Sequence, residues 1–261
     1  MQFKKVIRKI IFTANSTFQS FFRRHEMTQD FHDMQSLNVC MTHMETFGKY
    51  KGIYSGKDVA IIATGPSLND YKPIDGVINI GVNKAFAVDK INLDYIFIQD
   101  YVAMKDHIEN LVNSKFDNVK KFYGVVPVHL YGNKLRKFEQ NIIPESVILR
   151  HKASKFFVYT TENPNNMNFC VDIHRSWFRD TGTIAMSAMQ FALFTNPRRI
   201  YLVGCDCSSG HFDSKKDGVK ATHLVKIWKA MKHFADLYYP ETEIISVNPV
   251  GLKGVFKDLM Q

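Results

Sequence analysis

Beyond residue 50 the sequence alternates between short apolar runs and segments with helical periodicity. Several runs are apolar at every position, as in strands of a parallel sheet that is covered by helices on both faces. The predicted strands are Val59–Ala63, Val77–Val82, Tyr95–Gln99, Lys121–Val126, Val147–Leu149, Arg199–Val203 and Glu243–Val247. Helices are predicted over Ile184–Thr195 and His223–Tyr238. This alternation predicts a Rossmann-like, doubly wound, mostly parallel α/β sheet, which would bind ligands beyond the carboxyl ends of its strands.

The chain is long enough for one large α/β domain with a small appendage, since it has 261 residues of which 45% are hydrophobic. Residues 1–50 are interpreted as a basic amphipathic helix followed by a polar connector. Residues 51–261 are interpreted as the Rossmann-like domain, with lid-like loops at 150–180 and 207–222.

The net charge of +9 is concentrated near the N-terminus, where six basic residues precede Glu26, the first acidic residue. Apolar residues in residues 1–25 recur at spacings of mostly three and four, which is the period of an amphipathic helix. Such a helix could dock on an anionic membrane surface, or it could pack on the protein body or on a partner subunit. Nucleic-acid binding is not expected, because no recognised module accompanies the charge.

The four cysteines form no CxxC pair and no spacing typical of a disulfide framework. The sequence also has no apolar run long enough to span a membrane and no secretory signal pattern. We therefore expect a cytoplasmic protein, with the inner face of the cytoplasmic membrane as its possible place of association.

The run Val59–Ala63 ends abruptly in a loop of small and rigid residues, Thr64, Gly65, Pro66 and Ser67. Glycine allows the backbone to approach a ligand closely, proline stiffens the turn, and serine offers a helix cap and a hydroxyl donor. A phosphate or pyrophosphate is the expected ligand. The alternative is an ordinary strand-to-helix turn, since the loop matches neither the P-loop nor the GxGxxG pattern.

Other predicted strand ends and one helix start carry small or polar residues as well. They are Asn83, Asp100, Thr181, Gly182, Thr183, Asp206 and Ser208. An asparagine suits a ribose or a base edge, and the start of a helix suits an anion. Because a doubly wound sheet brings its strand ends together, we expect these residues to share one nucleotide site.

Five segments resemble a known superfamily: VAIIATGPSLND, IGVNKAF, LDYIFIQDY, GTIAMSAMQFAL and IYLVGCDCS. Together they resemble the bacterial sialyltransferases of glycosyltransferase family 42 and the MptE-like 6-hydroxymethylpterin diphosphokinases, the motility accessory factor group. The resemblance covers roughly Lys57 to Phe256, and it implies a GT-A-like variant of the Rossmann-like fold.

The resemblance also implies site roles. In the sialyltransferases, the equivalents of the Thr64–Ser67 loop, of Asn83 and of the Thr181–Thr183 helix start bind the cytidine monophosphate part of the donor. A histidine general base precedes a late helix, which His223 matches here, and Asn248 lies in the following turn near the nucleotide. His211 is the rival base.

The sequence departs from the sialyltransferase pattern at two places. The loop after Asp206 contains Ser208 and His211 where sialyltransferases have tyrosines that hold the leaving phosphate. Ala63-Thr64 replaces the glycine that precedes Gly65 in the family. These departures leave the donor sugar open.

Two functions follow as expectations. The first is an inverting, sialyltransferase-like glycosyltransferase of bacterial lipopolysaccharide or capsule synthesis. It would take a sialic-acid-like or other sugar from a nucleotide-sugar donor, CMP-linked by the resemblance, to a cell-surface glycan or lipid-linked acceptor, without a metal or other cofactor. The second is a Mg-dependent pyrophosphokinase acting on a pterin-like molecule, with Asp100 and Asp206 as metal ligands. A nucleotide-binding protein without turnover is a third possibility, and a homo-oligomer is compatible with each.

Overall fold

The computed structural model describes residues 36–99, 101–125, 129–131, 134–136, 143–160, 169–180, 182–208, 210–214 and 221–261. The predicted amphipathic segment of residues 1–25 lies outside these ranges, as do Asp100 and Thr181. Membrane docking by that segment stays a prediction.

The centre of the molecule is a nine-stranded sheet in the order β11-β10-β9-β1-β2-β3-β4-β7-β8, and every neighbouring pair in it is parallel. A separate antiparallel pair is formed by β5 and β6. The strands are β1 Asp58–Ile62, β2 Ile78–Val82, β3 Tyr95–Ile98, β4 Lys120–Val125, β5 His129–Tyr131, β6 Lys134–Arg136, β7 Ser154–Thr160, β8 Phe178–Asp180, β9 Arg199–Val203, β10 Glu243–Val247 and β11 Lys257–Leu259. The predicted Rossmann-like α/β class is confirmed.

The strand order reverses between β1 and β9. From β1 the chain builds the sheet outward through β2, β3, β4, β7 and β8, and it then returns to place β9 on the other side of β1. The register pairs Ile62 with Val203, so that the two strands end at the same level. In open α/β sheets the crevice beyond the carboxyl ends at such a reversal is where ligands bind.

Within the described ranges five α-helices accompany the sheet: α1 over 36–47, α2 Tyr101–Met104, α3 Glu145–Arg150, α4 Ala185–Phe194 and α5 Thr222–Tyr238. All ten residues of α4 are buried, and eight of them are apolar; the exceptions are Ser187 and Gln190. Helix α5 is amphipathic and buries a single stripe that includes Ile227, Trp228 and Met231. In the described part of the chain no helix is both long and apolar enough to cross a membrane.

Helix α1 belongs to the core of the α/β domain, which differs from the predicted polar connector before residue 50. The ring of Phe47 is fully buried and lies 5.1 Å from the rings of both Phe122 and Phe178, measured between centroids. The buried positions Val39, His43 and Phe47 recur every four residues, which is a helical stripe. The polar and Met-rich composition of the segment concealed this stripe.

Two further predictions are corrected. Val147–Leu149 lies within α3 and not in a strand, because Pro144 and Glu145 provide a helix start that a three-residue apolar run cannot outweigh. The stretch 150–180 is not a single lid-like loop, since β7 and β8 extend the sheet there. The aromatic run of β7 is a strand signal that the adjoining Asn- and Pro-rich stretch obscured.

His43 fastens α1 to the sheet through three hydrogen bonds. Its Nδ1 lies 2.9 Å from the carbonyl oxygen of Ile173 and 2.8 Å from that of Ser176. Its Nε2 accepts a hydrogen bond of 2.8 Å from the backbone N–H of Phe157. Only a neutral imidazole with its proton on Nδ1 satisfies all three partners. Burial lowers the pKa of His43 from 6.5 to about 4.

We expect His43 to make the fold sensitive to acid. Because the pKa is lower in the folded than in the unfolded chain, protonation favours unfolding, and stability falls as the pH drops from 6.5 towards 4. The shift corresponds to roughly 3 kcal/mol over that window. Urea unfolding at several pH values measures it. A His43→Gln variant should show a shallower loss of stability with acid, and identical pH dependence in both proteins would refute the role.

Candidate functional site

A cavity of about 440 Å³ lies at the carboxyl ends of β1 and β9, where the strand order reverses. Its lining comes from the ends of β1, β2, β3, β8 and β9 and from the starts of α4 and α5. The lining residues are Ala63, Thr64, Gly65, Val82, Asn83, Gln99, Asp180, Gly182, Thr183, Ile184, Ala185, Gly204, Cys205, Asp206, Cys207, Ser208, Gly210, His211, Leu224 and Trp228.

The structure brings most of the predicted site residues together. Those that line the cavity are Thr64, Gly65, Asn83, Gly182, Thr183, Asp206, Ser208 and His211. Pro66, Ser67, His223 and Asn248 do not line it. The strand ends therefore converge on one cavity as expected, and these four residues lie outside its lining.

The loop after β1 binds the carboxyl group of Asp206, which follows β9 in the same chain. The backbone N–H of Ser67 donates to Oδ2 of Asp206 over 2.7 Å, and the Ser67 hydroxyl donates to Oδ1 of the same carboxylate. The N–H of Gly65 donates to the carbonyl oxygen of Gly204 over 2.8 Å. These donors are therefore already occupied. Pro66 and Ser67 are buried in the turn, and Ser67 is hydrogen-bonded to Asp206.

Two glycines allow the loops after β1 and β9 to touch. A Cβ atom on Gly65 would lie 2.5 Å from the carbonyl oxygen of Gly204 and 2.7 Å from Cγ of Asp206. Gly204 has a φ of +65°, and a Cβ atom there would lie 2.7 Å from the carbonyl oxygen of Ala63. Only glycine fits at these two positions.

His211 stands at the rim of the cavity and contacts the loop after β1. Its Nδ1 lies 3.0 Å from the hydroxyl oxygen of Thr64. The backbone N–H of Phe212 donates to the carbonyl oxygen of Thr64 over 2.9 Å, which ties the two loops together. The backbone N–H of His211 donates to the hydroxyl oxygen of Ser214 over 2.8 Å, which closes a turn between the two residues. The imidazole is thus oriented, and it is still exposed to solvent.

His223 and Asn248 lie outside the lining of the cavity. His223 is exposed at the start of α5, where its helix neighbours Leu224 and Trp228 line the cavity. Successive helix positions are about 100° apart, so that side chains next to each other in sequence leave the helix in different directions. The side chain of Asn248 binds the segment after β11, since its Oδ1 accepts the N–H of Gln261 over 2.8 Å.

Gln99 and Asp180 are two polar lining residues that the sequence analysis missed. The Gln99 amide donates from Nε2 to Oδ2 of Asp180 over 2.8 Å, and Oδ1 of Asp180 accepts the N–H of Thr183 over 2.8 Å. Each is a polar residue at the carboxyl end of a strand, which is the signal that could have identified them. Gln99 was assigned to the predicted strand, and Asp180 to the predicted loop.

The thiols at the end of β9 are neutral. Burial raises the pKa of Cys205 well above its usual range and that of Cys207 to about 12. A neutral thiol of this kind is a poor nucleophile at neutral pH. Within the described ranges, no group of three or more His, Cys, Asp or Glu side chains could hold a metal ion.

No family model and no curated protein matches this sequence. Solved structures do match it. A MAf glycosyltransferase from Magnetospirillum magneticum AMB-1 is 15% identical, with a TM-score of 0.48 over 85% of this chain. The match covers only 38% of that protein.

Two sialyltransferase structures match as well. CstII from Campylobacter jejuni, in complex with the substrate analogue CMP-3FNeuAc, is 16% identical with a TM-score of 0.45, over 78% of this chain and 85% of that one. A CST-II variant in complex with CMP is 16% identical with a TM-score of 0.41, over 73% of this chain and 81% of that one. These neighbours are consistent with the resemblance of the five motifs. At such scores they carry no argument about activity, which depends on the site.

Proposed function

We propose that this chain is an inverting glycosyltransferase that moves a sugar from a nucleotide-activated donor to a hydroxyl of a glycan or lipid-linked acceptor. One observation carries the proposal: a histidine oriented by Thr64 stands at the rim of a cavity at the strand-order reversal. The motif resemblance supports a CMP-linked donor with a sialic-acid-like or other sugar.

In the proposed reaction, His211 replaces His223 as the general base. With Nδ1–H donating to the Thr64 hydroxyl, Nε2 is left as the basic atom. The acceptor oxygen forms a bond to the anomeric carbon of the donor sugar while the bond from that carbon to the phosphate oxygen breaks. The acceptor proton passes to Nε2, and the nucleotide departs with the electron pair of the broken bond.

The start of α4 is the proposed position of the donor phosphate. Gly182 and Thr183 line the cavity just before this ten-residue helix. The N–H of Thr183 already donates to Asp180, so in this proposal the positive end of the helix dipole, and not that N–H, stabilises the charge on the departing phosphate. A Cβ atom on Gly182 would meet nothing within 4 Å, so there is open space beside this backbone.

A nucleotide screen tests the proposal. We expect cytidine monophosphate or cytidine diphosphate to raise the melting temperature of the protein without Mg²⁺. A ligand at 100 times its Kd stabilises by about 2.7 kcal/mol, which a thermal-shift assay detects readily. Cytidine without phosphate is the matched control and should stabilise less. Stabilisation by ATP with Mg²⁺ alone would favour the pyrophosphokinase, and no response to any nucleotide would contradict both functions.

No specific observation favours the pyrophosphokinase alternative. It calls for Asp100 and Asp206 as ligands of Mg²⁺. Asp100 lies outside the described residues, and both carboxylate oxygens of Asp206 accept hydrogen bonds from Ser67. The alternative therefore depends on the resemblance alone.

The cellular setting is part of the proposal. A basic amphipathic segment at residues 1–25 would bring the catalytic domain to lipid-linked acceptors at the inner face of the cytoplasmic membrane. Lipopolysaccharide or capsule synthesis would use such a transfer. The same segment could serve assembly of a homo-oligomer.

A further inference from the structure

The amide of Gln99 is held in one orientation. Both carboxylate oxygens of Asp180 accept hydrogen bonds, Oδ1 from the N–H of Thr183 and Oδ2 from Nε2 of Gln99, each over 2.8 Å. A carboxylate accepts and does not donate, so the nitrogen of the Gln99 amide must face Asp180. The free end of the side chain is therefore the carbonyl oxygen Oε1.

This oxygen is buried and lacks a partner within the described part of the chain. Oδ1 of Asn83 is also buried without a hydrogen-bond partner among the described residues, and both side chains line the cavity. An unpaired buried carbonyl is costly, so its persistence in a cavity wall indicates a partner that arrives with a ligand. Both atoms are acceptors, and they call for N–H or O–H groups on that ligand.

The absence of a side chain at Gly124 leaves room for Gln99. A Cβ atom on Gly124 would lie 3.0 Å from Cγ and 3.1 Å from Cβ of Gln99. The glycine in β4 therefore lets the stem of Gln99 lie across the neighbouring strand. The stem of Gln99 lies against Gly124 and its amide donates to Asp180. The side chain is therefore contacted on two sides, which makes the site preorganised.

We propose that Gln99 is a specificity-determining residue that accepts a hydrogen bond from an amino or hydroxyl group of the bound nucleotide, with Asp180 as its positioning residue. The inference rests on the proposed nucleotide donor and adds the polarity of the group that is recognised. The donor group comes either from an exocyclic amine of the base or from a ribose hydroxyl.

Dissociation constants from calorimetry on the full chain distinguish these sources. Two pairs of nucleotides differ in a base amine: cytidine against uridine monophosphate, and adenosine against inosine monophosphate. A third pair, cytidine against 2′-deoxycytidine monophosphate, differs in a ribose hydroxyl. We expect the intact protein to prefer the donor-bearing member of at least one pair by about tenfold.

Two variants test the mechanism of this preference. Gln99→Met keeps the length of the side chain without the carbonyl and should bring the preferred pair to within about twofold. In Asp180→Asn, the new amide can accept from Thr183 and donate to Gln99, which turns the Gln99 nitrogen towards the cavity. A base preference should then reverse, whereas a ribose preference should persist, because a hydroxyl also accepts. Asp236→Asn, an exposed substitution of the same kind on α5, is the matched control and should change no ratio.

Each outcome decides the matter. Loss of the preference in Gln99→Met supports the inference, and the pair affected identifies the source of the donor group. Equal affinities within every pair in the intact protein, or ratios that Gln99→Met leaves unchanged, overturn the inference while the proposed function stands. Failure of every nucleotide to bind overturns both. If Asp180→Asn does not fold, Gln99→Met and the control still decide.

Discussion

A His211→Ala variant is expected to lose about 10² to 10⁴-fold in turnover while it still binds nucleotide. The reason is geometric: among the described residues His211 is the histidine in the cavity lining, and the Thr64 hydroxyl oxygen lies 3.0 Å from its Nδ1. In the proposed reaction, removal of the base affects the transition state, in which the acceptor proton moves, and leaves the proposed donor contacts at α4 intact. Turnover with a CMP-linked sugar and binding of cytidine monophosphate measure the two effects separately.

Two other histidine variants sharpen this test. His233→Ala is the matched control, since His233 is exposed on α5 and does not line the cavity, and it should retain normal turnover. His223→Ala decides between the two assignments. If His223→Ala causes the large loss and His211→Ala does not, the base predicted from the sequence is right and the one chosen from the structure is wrong.

A Gly65→Ala variant is expected to destabilise the fold by about 3 kcal/mol or more. The added Cβ atom would stand 2.5 Å from a backbone carbonyl oxygen, that of Gly204, which cannot rotate away as a side chain could. It would also push against the carboxylate of Asp206, so the hydrogen bonds from Ser67 would be disturbed with it. Urea unfolding gives the change in free energy.

Gly48→Ala is the control for this substitution. Gly48 is the first residue of a short helical turn, as Gly65 is the residue before one, and a Cβ atom on Gly48 would meet nothing within 4 Å. Its effect should stay within about 0.5 kcal/mol. A Gly65→Ala protein as stable as the Gly48→Ala protein would show that the two loops can separate without cost.

The sheet could be predicted because its inner strands are apolar on both faces. Strands β1, β9 and β10 differ from their predicted bounds by one residue or not at all. The packing of α1 against the core could not be predicted in the same way. Its buried stripe includes His43, whose burial depends on carbonyl groups more than a hundred positions away in the sequence.

The position of the candidate site could be predicted from the sequence, whereas the hydrogen-bond partners of its groups could not. Strand ends converge by topology alone, and this put Thr64, Asn83 and Thr183 around one cavity. Whether a given N–H is free for a ligand depends on its partner, and that partner is a tertiary fact. The residues from Thr64 to Ser67 do not indicate that Ser67 donates to Asp206.

Strand β1 also has a consequence for how the chain reaches its native state. Its residue Asp58 pairs with Arg199, so one edge of β1 stays open until the late part of the polypeptide has been made. Contacts between such distant residues slow folding, because the intervening loop must close before they form. During synthesis the apolar Val59–Ile62 segment would therefore offer an unpaired edge to other nascent chains, and its protection would become a task for chaperones.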